Sequence, residues 1–376
     1  MKDWELVSLD NVCKLINGRA YKQEELLKEG KYPVLRVGNF FSNRSWYYSN
    51  LELDDSKYCN DGDLLYAWSA SFGPRIWQGG KVIYHYHIWK TELDQSRVFK
   101  RFLYYWFEWD TERIKAEQGV GTTMIHVTKG AMEDRTLYIP PLAEQKRIVA
   151  ILDEAFEGID SAIANTEKNL ANSRELFENY LQNLDAEKES LGNLVDIRTG
   201  KLDANAATED GQYPFFTCSR EIYKIDSFAF DCEAILLAGN NAVGDFNVKH
   251  YKGQFNAYQR TYVITVNTEK KILYRYLYFQ MLKSLKEFKL QSVGAGTKFL
   301  KLGMIQDLRI ALPTIEKQQE IISTLDKLKA ETQRLETIYR QKLAALKELK
   351  QSILQKAFTG ELTADTSKTV KEKIAA

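Results

Sequence analysis

Few of the residues that commonly catalyse reactions or bind metals form a suggestive pattern in this chain. His85 and His87 form an HxH pair that could bind zinc, but no cysteine or carboxylate cluster accompanies them, and their alternation fits one face of a strand. The phosphate-binding pattern GxxxxGK followed by Ser or Thr does not occur, and no catalytic triad or carboxylate pair stands out. The sequence therefore favours a binding protein and predicts no catalytic residue, cofactor or metal in this chain.

Polar residues suited to recognition lie in two short loops that belong to a long internal duplication. Each loop precedes a proline-containing segment and then a Leu-Asp pair, with equal spacing from the proline to the Asp. The first copy consists of Gly121-Thr122-Thr123, residues 139–148 and Leu152-Asp153. The second copy consists of Gly296-Thr297-Lys298, residues 312–321 and Leu325-Asp326. The offset far exceeds the roughly 20–50-residue period of a solenoid repeat. A whole domain and a helix are therefore duplicated, as in proteins that engage something two-fold.

Two mixed α/β domains must position these loops. In each half, β-branched and aromatic runs punctuated by Gly and Asn predict short strands joined by turns, with helical stretches between them. The predicted fold class is α+β, with each mixed α/β domain followed by a long helix. The predicted segments are a first domain at 1–141, a helix at 142–186, a second domain at 187–313, a helix at 314–360 and a disordered tail at 361–376.

Apolar residues recur at alternating spacings of three and four along both long helices. The repeat runs from Leu152 to Leu184 and from Ile321 to Ile353, and it includes Lys342 and Leu349. Such a heptad pattern is typical of a coiled-coil seam. We expect the two helices, each roughly 60 Å long at 1.5 Å per residue, to pair as an antiparallel coiled coil with pseudo-two-fold symmetry.

The composition is that of a soluble globular protein. The chain has 376 residues, which is enough for two domains, and its formal net charge of +1 argues mildly against a generic nucleic-acid binder. Its four scattered cysteines indicate reduced thiols. The first residues show no signal pattern, and the apolar runs are shorter than the roughly 18 residues that span a bilayer. We expect a cytoplasmic protein without membrane association.

The duplicated proline-to-helix motif resembles the specificity (S) subunits of type I restriction–modification systems. The closing segment Ala357-Phe358-Thr359-Gly360-Glu361-Leu362 carries the same resemblance, which covers residues 1 to about 362. In the second copy Thr314 and Lys317 replace Pro141 and Glu144 of the first copy. The resemblance therefore implies docking surfaces that are similar and not identical.

The family implies a non-catalytic subunit that reads a split sequence in double-stranded DNA. Each of two target recognition domains would read one half-site, and the paired helices would set the gap and dock two methyltransferase (M) subunits. Adenine methylation would then be performed by the M subunits and cleavage by restriction (R) subunits. S-adenosylmethionine, ATP and Mg are expected in those partner subunits, and none of them in this chain.

Candidate DNA-contacting residues are polar side chains in loops beside small residues, and the two GT loops are the strongest of them. In the first half the candidates are Arg19, Arg36, Asn39, Ser69, Ser71, Arg75, Thr122 and Thr123. In the second half they are Lys201, Ser219, Arg220, Asn240, Asn241, Gln259, Arg260, Thr297 and Lys298. Candidate partner-docking residues on outward helix faces are Gln145, Arg147, Glu154, Lys168, Glu175, Gln318, Glu320, Lys327, Arg334 and Arg340.

Two alternatives stay open. One is a structural coiled-coil adaptor, for which DNA binding by the assembled complex would be absent or independent of sequence. The other is a stand-alone DNA-modifying enzyme with a cryptic site, which would cleave DNA or bind S-adenosylmethionine tightly as the pure chain.

Overall fold

The computed structural model of the chain describes residues 3–42, 45–69, 72–117, 126–182, 186–267 and 272–364. The chain forms two compact units, one of residues 1–165 with 342–376 and one of residues 166–341. Because this division cuts both long helices, each unit contains one mixed α/β domain and a part of each helix. Among the described residues, no helix is both long enough and apolar enough to cross a membrane.

The first domain precedes the first long helix. Its strands are Glu5–Ser8 (β1), Cys13–Asn17 (β2), Tyr32–Leu35 (β3), Tyr47–Ser49 (β4), Tyr58–Cys59 (β5), Leu64–Ala67 (β6), Gly73–Ile76 (β7), Val82–Tyr84 (β8), Ile88–Leu93 (β9) and Thr136–Ile139 (β10). Its helices are Val37–Phe41 (α1), Lys100–Glu117 (α2) and Lys129–Glu133 (α3), and the first long helix is Leu142–Gln182 (α4).

The first domain contains three sheets, and strand β6 lies inside one of them. Strands β2, β9, β6 and β7 form one antiparallel sheet, and β4, β3, β8 and β5 form a second in which β3 and β8 are parallel, while β1 pairs with β10. Side chains alternate along a strand, so Leu64 and Tyr66 enter the core beneath α2, whereas Leu65 and Ala67 enter a second core. All four are buried, which explains the uninterrupted apolar sequence of β6.

The second domain repeats this order. Its strands are Lys188–Ser190 (β11), Val195–Thr199 (β12), Tyr213–Phe216 (β13), Tyr223–Ile225 (β14), Phe230–Ala238 (β15), Asn240–Asn241 (β16), Val248–Ala257 (β17), Thr261–Val266 (β18), Lys298–Phe299 (β19) and Arg309–Ala311 (β20). Its helices are Tyr274–Gln291 (α5) and Leu302–Gln306 (α6), and the second long helix is Ile315–Phe358 (α7).

A six-stranded sheet in the order β12-β18-β15-β17-β13-β14 dominates the second domain. Strand β15 occupies the place of β6: Ile235 and Leu237 enter the core beneath α5, and Ala234 and Leu236 enter a core on the other face. Strands β11 and β20 pair beside the start of α7, as β1 and β10 do beside α4. The predicted duplication of an α/β domain followed by a long helix is thereby confirmed.

The long helices run antiparallel. In the first unit the Nζ of Lys350 lies 4.7 Å from the ring centre of Phe156. In the second unit the hydroxyl of Thr332 donates to the backbone oxygen of Ser173 at 3.3 Å. Residue numbers along α4 rise as those of the contacting residues on α7 fall, which is the predicted antiparallel pairing.

The seam near the end of α7 differs from the predicted one. Leu349 is 49% exposed and Lys342 is also exposed, whereas Leu354 is fully buried in the core of the first unit. Lys350 occupies the seam instead of Leu349, because its ammonium group lies over the ring of Phe156 and 3.5 Å from the Oδ1 of Asp160. The predicted register, which placed Lys342 and Leu349 in the seam, was therefore wrong at these two positions.

The second long helix is slightly shorter than the predicted 314–360, because α7 runs over Ile315–Phe358. Helix α4 is Leu142–Gln182, and residues 183–185, next to its predicted end at 186, lie outside the described residues. Past the end of α7, the backbone N–H of Leu362 donates to the oxygen of Lys356 at 2.9 Å, and its side chain packs against the first core. Residues 361–364 are thus ordered, and the remainder of the predicted tail, 365–376, lies outside the described residues.

Candidate nucleic-acid interface

A buried glutamine attaches the first long helix to its domain. Gln145, in the first turn of α4, has no exposed surface. Its Oε1 accepts the N–H of Phe99 at 2.7 Å, and its Nε2 donates to the backbone oxygens of Arg97 and Pro140, each at 2.8 Å. The amide thus satisfies three backbone groups in the loop before α2 and the segment before α4.

Gln318 makes the equivalent connection in the second unit. It is fully buried, it accepts the N–H of Leu273 at 2.9 Å, and it donates to the oxygen of Pro313 at 2.9 Å. The assignment of Gln145 and Gln318 to outward docking faces was therefore wrong. Both residues lie in a first helical turn, where the side chain faces back toward the preceding segment and the domain.

The aspartate of each Leu-Asp pair forms an ion pair with the helix that precedes the motif. Asp153 binds Arg101 of α2, and it also accepts the hydroxyl of Tyr105 at 2.5 Å. Asp326 binds the Nε of Arg275 of α5 at 3.0 Å. The duplicated motif is thus a structural joint in both units, made from one amide and one carboxylate.

The other residues predicted to dock partners are exposed on the long helices. Three of them are paired along their own helix: Arg147 with Glu144 at 3.5 Å, Glu320 with Lys317 at 2.8 Å, and Arg334 with Glu331 at 2.8 Å. Arg340 lies 4.0 Å from Glu336. Four more are exposed, namely Glu154, Lys168, Glu175 and Lys327. These exposed faces are compatible with docking, which stays a prediction.

In the second domain, the predicted DNA-contacting residues converge on one tight turn. The turn comprises 258–261, and the N–H of Thr261 donates to the oxygen of Tyr258 at 2.8 Å. Three further backbone bonds fix neighbouring loops to it: Tyr258 N–H to Phe216 O at 2.9 Å, Gln259 N–H to Leu202 O at 2.8 Å, and Gly239 N–H to Arg260 O at 2.9 Å. Loops that follow β12, β13, β15 and β17 thus meet at this turn.

The GT loop of the second domain joins the same cluster. Asn240 and Asn241 form β16, which pairs with Phe299 and Lys298 of β19, directly after Thr297. The Oδ1 of Asn241 accepts two backbone N–H groups, those of Val243 and Asp245, each at 2.9 Å. The side chain of Asn241 therefore organises its own loop.

Two arginines in the cluster differ in what their guanidinium groups contact. Arg220 is bound to Asp245 at 2.6 Å. Arg260 is exposed and lies over the ring of Phe299, 5.1 Å from its centre, and within the described ranges no carboxylate is paired with it. Arg260 is thus held by an aromatic ring and keeps its N–H donors available.

The remaining candidates of the second domain surround these residues. Gln259 donates to the carboxylate of Asp203, and Lys201 is exposed two residues before that aspartate. The backbone oxygen of Ser219 accepts the ammonium group of Lys249 at 2.6 Å. Burial lowers the pKa of Lys249, and the nearby Arg220 adds to the effect. All nine candidates of the second domain therefore lie in the loops, or in the short strand pair β16–β19, around one end of its sheet.

The first domain carries an equivalent turn at 85–88, between β8 and β9. Its four backbone bonds match those of the second domain: Ile88 N–H to His85 O at 2.9 Å, His85 N–H to Leu35 O at 2.9 Å, Tyr86 N–H to Arg19 O at 3.1 Å, and Trp68 N–H to His87 O at 3.1 Å. His85 and His87 thus lie in a turn and not along one face of a strand. Sequence reasoning did not include residues 85–87 among the candidate DNA contacts, because the equivalence of this turn to 258–260 appears only in the backbone pairing.

A surface cavity of about 380 Å³ opens beside this turn. It is lined by Arg36, Asn39, His85 and His87, together with Val37, Gly38, Ser45 and Tyr47. Burial lowers the pKa of His85 to about 4, and the neighbouring His87 and Arg36 contribute. Burial also lowers the pKa of His87, with a contribution from His126. Both imidazoles are therefore neutral near pH 7 and offer one donor and one acceptor each.

Other candidates of the first domain are already engaged. Arg19 forms a two-pronged ion pair with Glu25, at 2.7 and 2.9 Å. Arg75 donates to the backbone oxygen of Phe40, and Ser69 is buried and bridged to His126. Asn39 is 8% exposed, and its Nδ2 donates to the oxygen of Ser45 at 3.2 Å. Ser71, Thr122 and Thr123 lie outside the described residues.

Two glycines let the chain pass close to these turns. A side-chain carbon on Gly18 would lie 2.3 Å from the oxygen of Tyr84, and one on Gly200 would lie 1.8 Å from the oxygen of Ala257. Only glycine fits at such distances. Across the described ranges, no three His, Cys, Asp or Glu side chains are placed to hold a metal ion.

The two units thus present equivalent loop clusters with different side chains, each joined to a long helix, which defines a duplicated two-domain binding protein. Residues 1–171 and 183–346 match the type I restriction modification DNA specificity domain. The chain therefore belongs to that family. This assignment agrees with the resemblance found in the sequence.

Relatives agree with the assignment, and a solved structure shares the fold. The chain is 43% identical over 176 residues to the type I restriction enzyme EcoDI specificity subunit of Escherichia coli, a match that covers 46% of this chain and 38% of that protein. It is 25% identical over 417 residues to the EcoBI specificity subunit of Escherichia coli, covering 96% and 86%. A chain in a solved structure of the type I R-M system shares its fold at a TM-score of 0.72 and 18% identity, covering 96% and 99%.

Proposed function

We propose that this chain is the specificity subunit of a type I restriction–modification complex that reads a bipartite DNA target. Each domain reads one half-site through its loop cluster. The chain performs no chemistry itself, and it directs adenine methylation by M subunits and cleavage by R subunits.

One observation supports this proposal most directly. The turns at 85–88 and 258–261 have the same backbone hydrogen bonds, yet their exposed side chains differ. Base edges are read by side-chain donors and acceptors, whereas the backbone fixes their position. Two turns that share a backbone geometry but carry different side chains suit a DNA target whose two half-sites differ in sequence.

The partners and cofactors form part of the proposal. Two M subunits dock on the exposed faces of the long helices, and R subunits join the complex they form. S-adenosylmethionine, ATP and Mg act in those partner subunits. The complex works in the cytoplasm, on double-stranded DNA.

The test is a genome-wide map of N6-methyladenine in a host without adenine methylation. The host expresses this chain together with the M subunit of the same system, and a matched culture expresses the M subunit alone. A new split motif that requires this chain is the expected result. Absence of new methylation despite a soluble complex would contradict the proposal and favour a structural adaptor, and methylation or cleavage by the pure chain would favour a stand-alone enzyme.

A further inference from the structure

We propose that the turns 85–87 and 258–260 are the equivalent base-reading elements of the two domains, and that Arg260 reads a guanine in one half-site while His87 reads a different base in the other. This inference rests on the proposed function and deepens it to named residues. The ligand is the major-groove edge of duplex DNA.

The equivalence of the turns comes from backbone geometry. Each turn closes with a bond from its fourth residue to its first. The first residue's N–H donates to the oxygen of the last residue of the parallel-paired strand β3 or β13, and the third residue's oxygen accepts an N–H from the loop after β6 or β15. Superposing these bonds aligns His85 with Tyr258, Tyr86 with Gln259, and His87 with Arg260. The scaffold is common to both domains, and the side chains at all three positions differ.

Arg260 has the chemistry and the freedom to read a guanine. Its guanidinium lies 5.1 Å from the ring centre of Phe299, which restricts its orientation before any ligand binds. Within the described ranges its N–H groups donate to no carboxylate. A planar fork of free donors matches the O6 and N7 acceptors of guanine in a bidentate contact.

Arg220 provides the matched comparison in the same loop cluster. The side chain of Arg220 is 72% exposed and could reach DNA. Its guanidinium, however, is bound to Asp245 at 2.6 Å. A base contact by Arg220 would have to break that pair. Arg260 is therefore favoured as the reading residue.

His87 offers a different set of hydrogen-bonding groups at the equivalent position. Its ring centre lies 5.0 Å from that of Trp68 and 4.8 Å from that of His85, so two neighbouring rings restrict its orientation. A neutral imidazole presents one donor and one acceptor, and it cannot form the two-donor contact of an arginine. The two half-sites should therefore differ at the bases that face these turns.

The experiment compares methylation motifs of the M–S complex containing the wild-type chain with those of R260A, R260K, H87A and the control R113A, which alters a half-exposed arginine of α2 outside both loop clusters. Methylation in the adenine-methylation-free host is read at single-base resolution, and thermal unfolding of each purified complex verifies folding. We expect R260A to lower the preference for one guanine in one half-site roughly 5- to 150-fold, as loss of a bidentate contact predicts. H87A should change one position of the other half-site, and R113A should leave the motif unchanged.

Three outcomes would overturn the inference. The first is a guanine that stays strictly required in the R260A motif. The second is a single substitution that changes both half-sites. The third is that R260A and H87A affect the same half-site. If R260A abolishes methylation altogether, R260K decides the matter: relaxation at one guanine supports the inference, and an unchanged motif contradicts it. A wild-type complex that methylates nothing would overturn the proposed function as well, and the two failures are thereby distinguished.

Discussion

Single side chains in this protein perform two separable tasks, holding the long helices and presenting loops. Gln145 and Gln318 bind backbone groups and are fully buried. Arg260 and His87 are accessible and lie on turns that the backbone already fixes. Substitutions of the first kind should therefore affect stability, and those of the second kind should affect recognition.

Replacement of Gln318 by alanine should destabilise the protein. It leaves the N–H of Leu273 and the oxygen of Pro313 buried without their partner, and such a loss costs about 1–3 kcal/mol per group. The free energy of unfolding measured in urea should fall accordingly. The neighbouring Gln319 is exposed, so Gln319→Ala is the control and should change stability by less than about 0.5 kcal/mol. Equal effects of the two substitutions would refute the role of the buried amide.

The lowered pKa of His85 should make stability depend on pH. The group binds a proton near pH 6.5 when unfolded and near pH 4 when folded, so the unfolded chain holds more protons between those values. The contribution of His85 to stability is therefore fully present above pH 6.5 and is lost as the pH falls toward 4. Urea unfolding of His85→Asn from pH 7 to pH 5 should show a shallower decline than the wild type. Parallel profiles would show that His85 does not titrate in this way.

At the level of elements, the sequence predicted the order of domains and helices well and the orientation of particular residues poorly. The duplicated motif and the heptads are local patterns, and they identified both long helices to within a few residues. The inward direction of Gln145 depends on the loop before α2, and the meeting of four loops at 85–88 depends on strand pairing. Such non-local contacts leave no periodic signal in the sequence. The heptad pattern likewise did not predict that Lys350 lies in the seam, because the adjacent Leu349 was assigned to it.

The corrected seam makes a matched pair of substitutions informative. Leu354 is fully buried in the core of the first unit, whereas Leu349 is 49% exposed on the same helix. Leu354→Ala should cost about 2–5 kcal/mol through lost burial and a cavity, and Leu349→Ala should cost below about 1 kcal/mol. Denaturant unfolding measures both. A larger loss from Leu349→Ala than from Leu354→Ala would instead support the predicted register, in which Leu349 lies in the seam.

At the scale of the whole molecule, both long helices pass from one compact unit into the other, near residues 165 and 342. Each unit includes its own domain and its own loop cluster. Under the proposed function, the half-site sequence is a property of one unit, and the gap between half-sites is a property of the helices that connect the units.

Insertion of one heptad into both helices at these crossing points should alter only the gap. A full heptad preserves the register of the apolar seam, so pairing of the helices is retained. Methylation mapping should then reveal the original half-sites at a new separation. A change in either half-site sequence would show that the helices contribute to base reading.

The joint at the start of each long helix has an evolutionary consequence. Both glutamines bind main-chain atoms, which every amino acid supplies except for the N–H that proline lacks, so most side chains of the segments they bind can change without weakening the joint. Each domain can therefore accumulate substitutions on its recognition loops while its attachment persists. A chain built in this way can acquire a new target sequence while its fold stays the same.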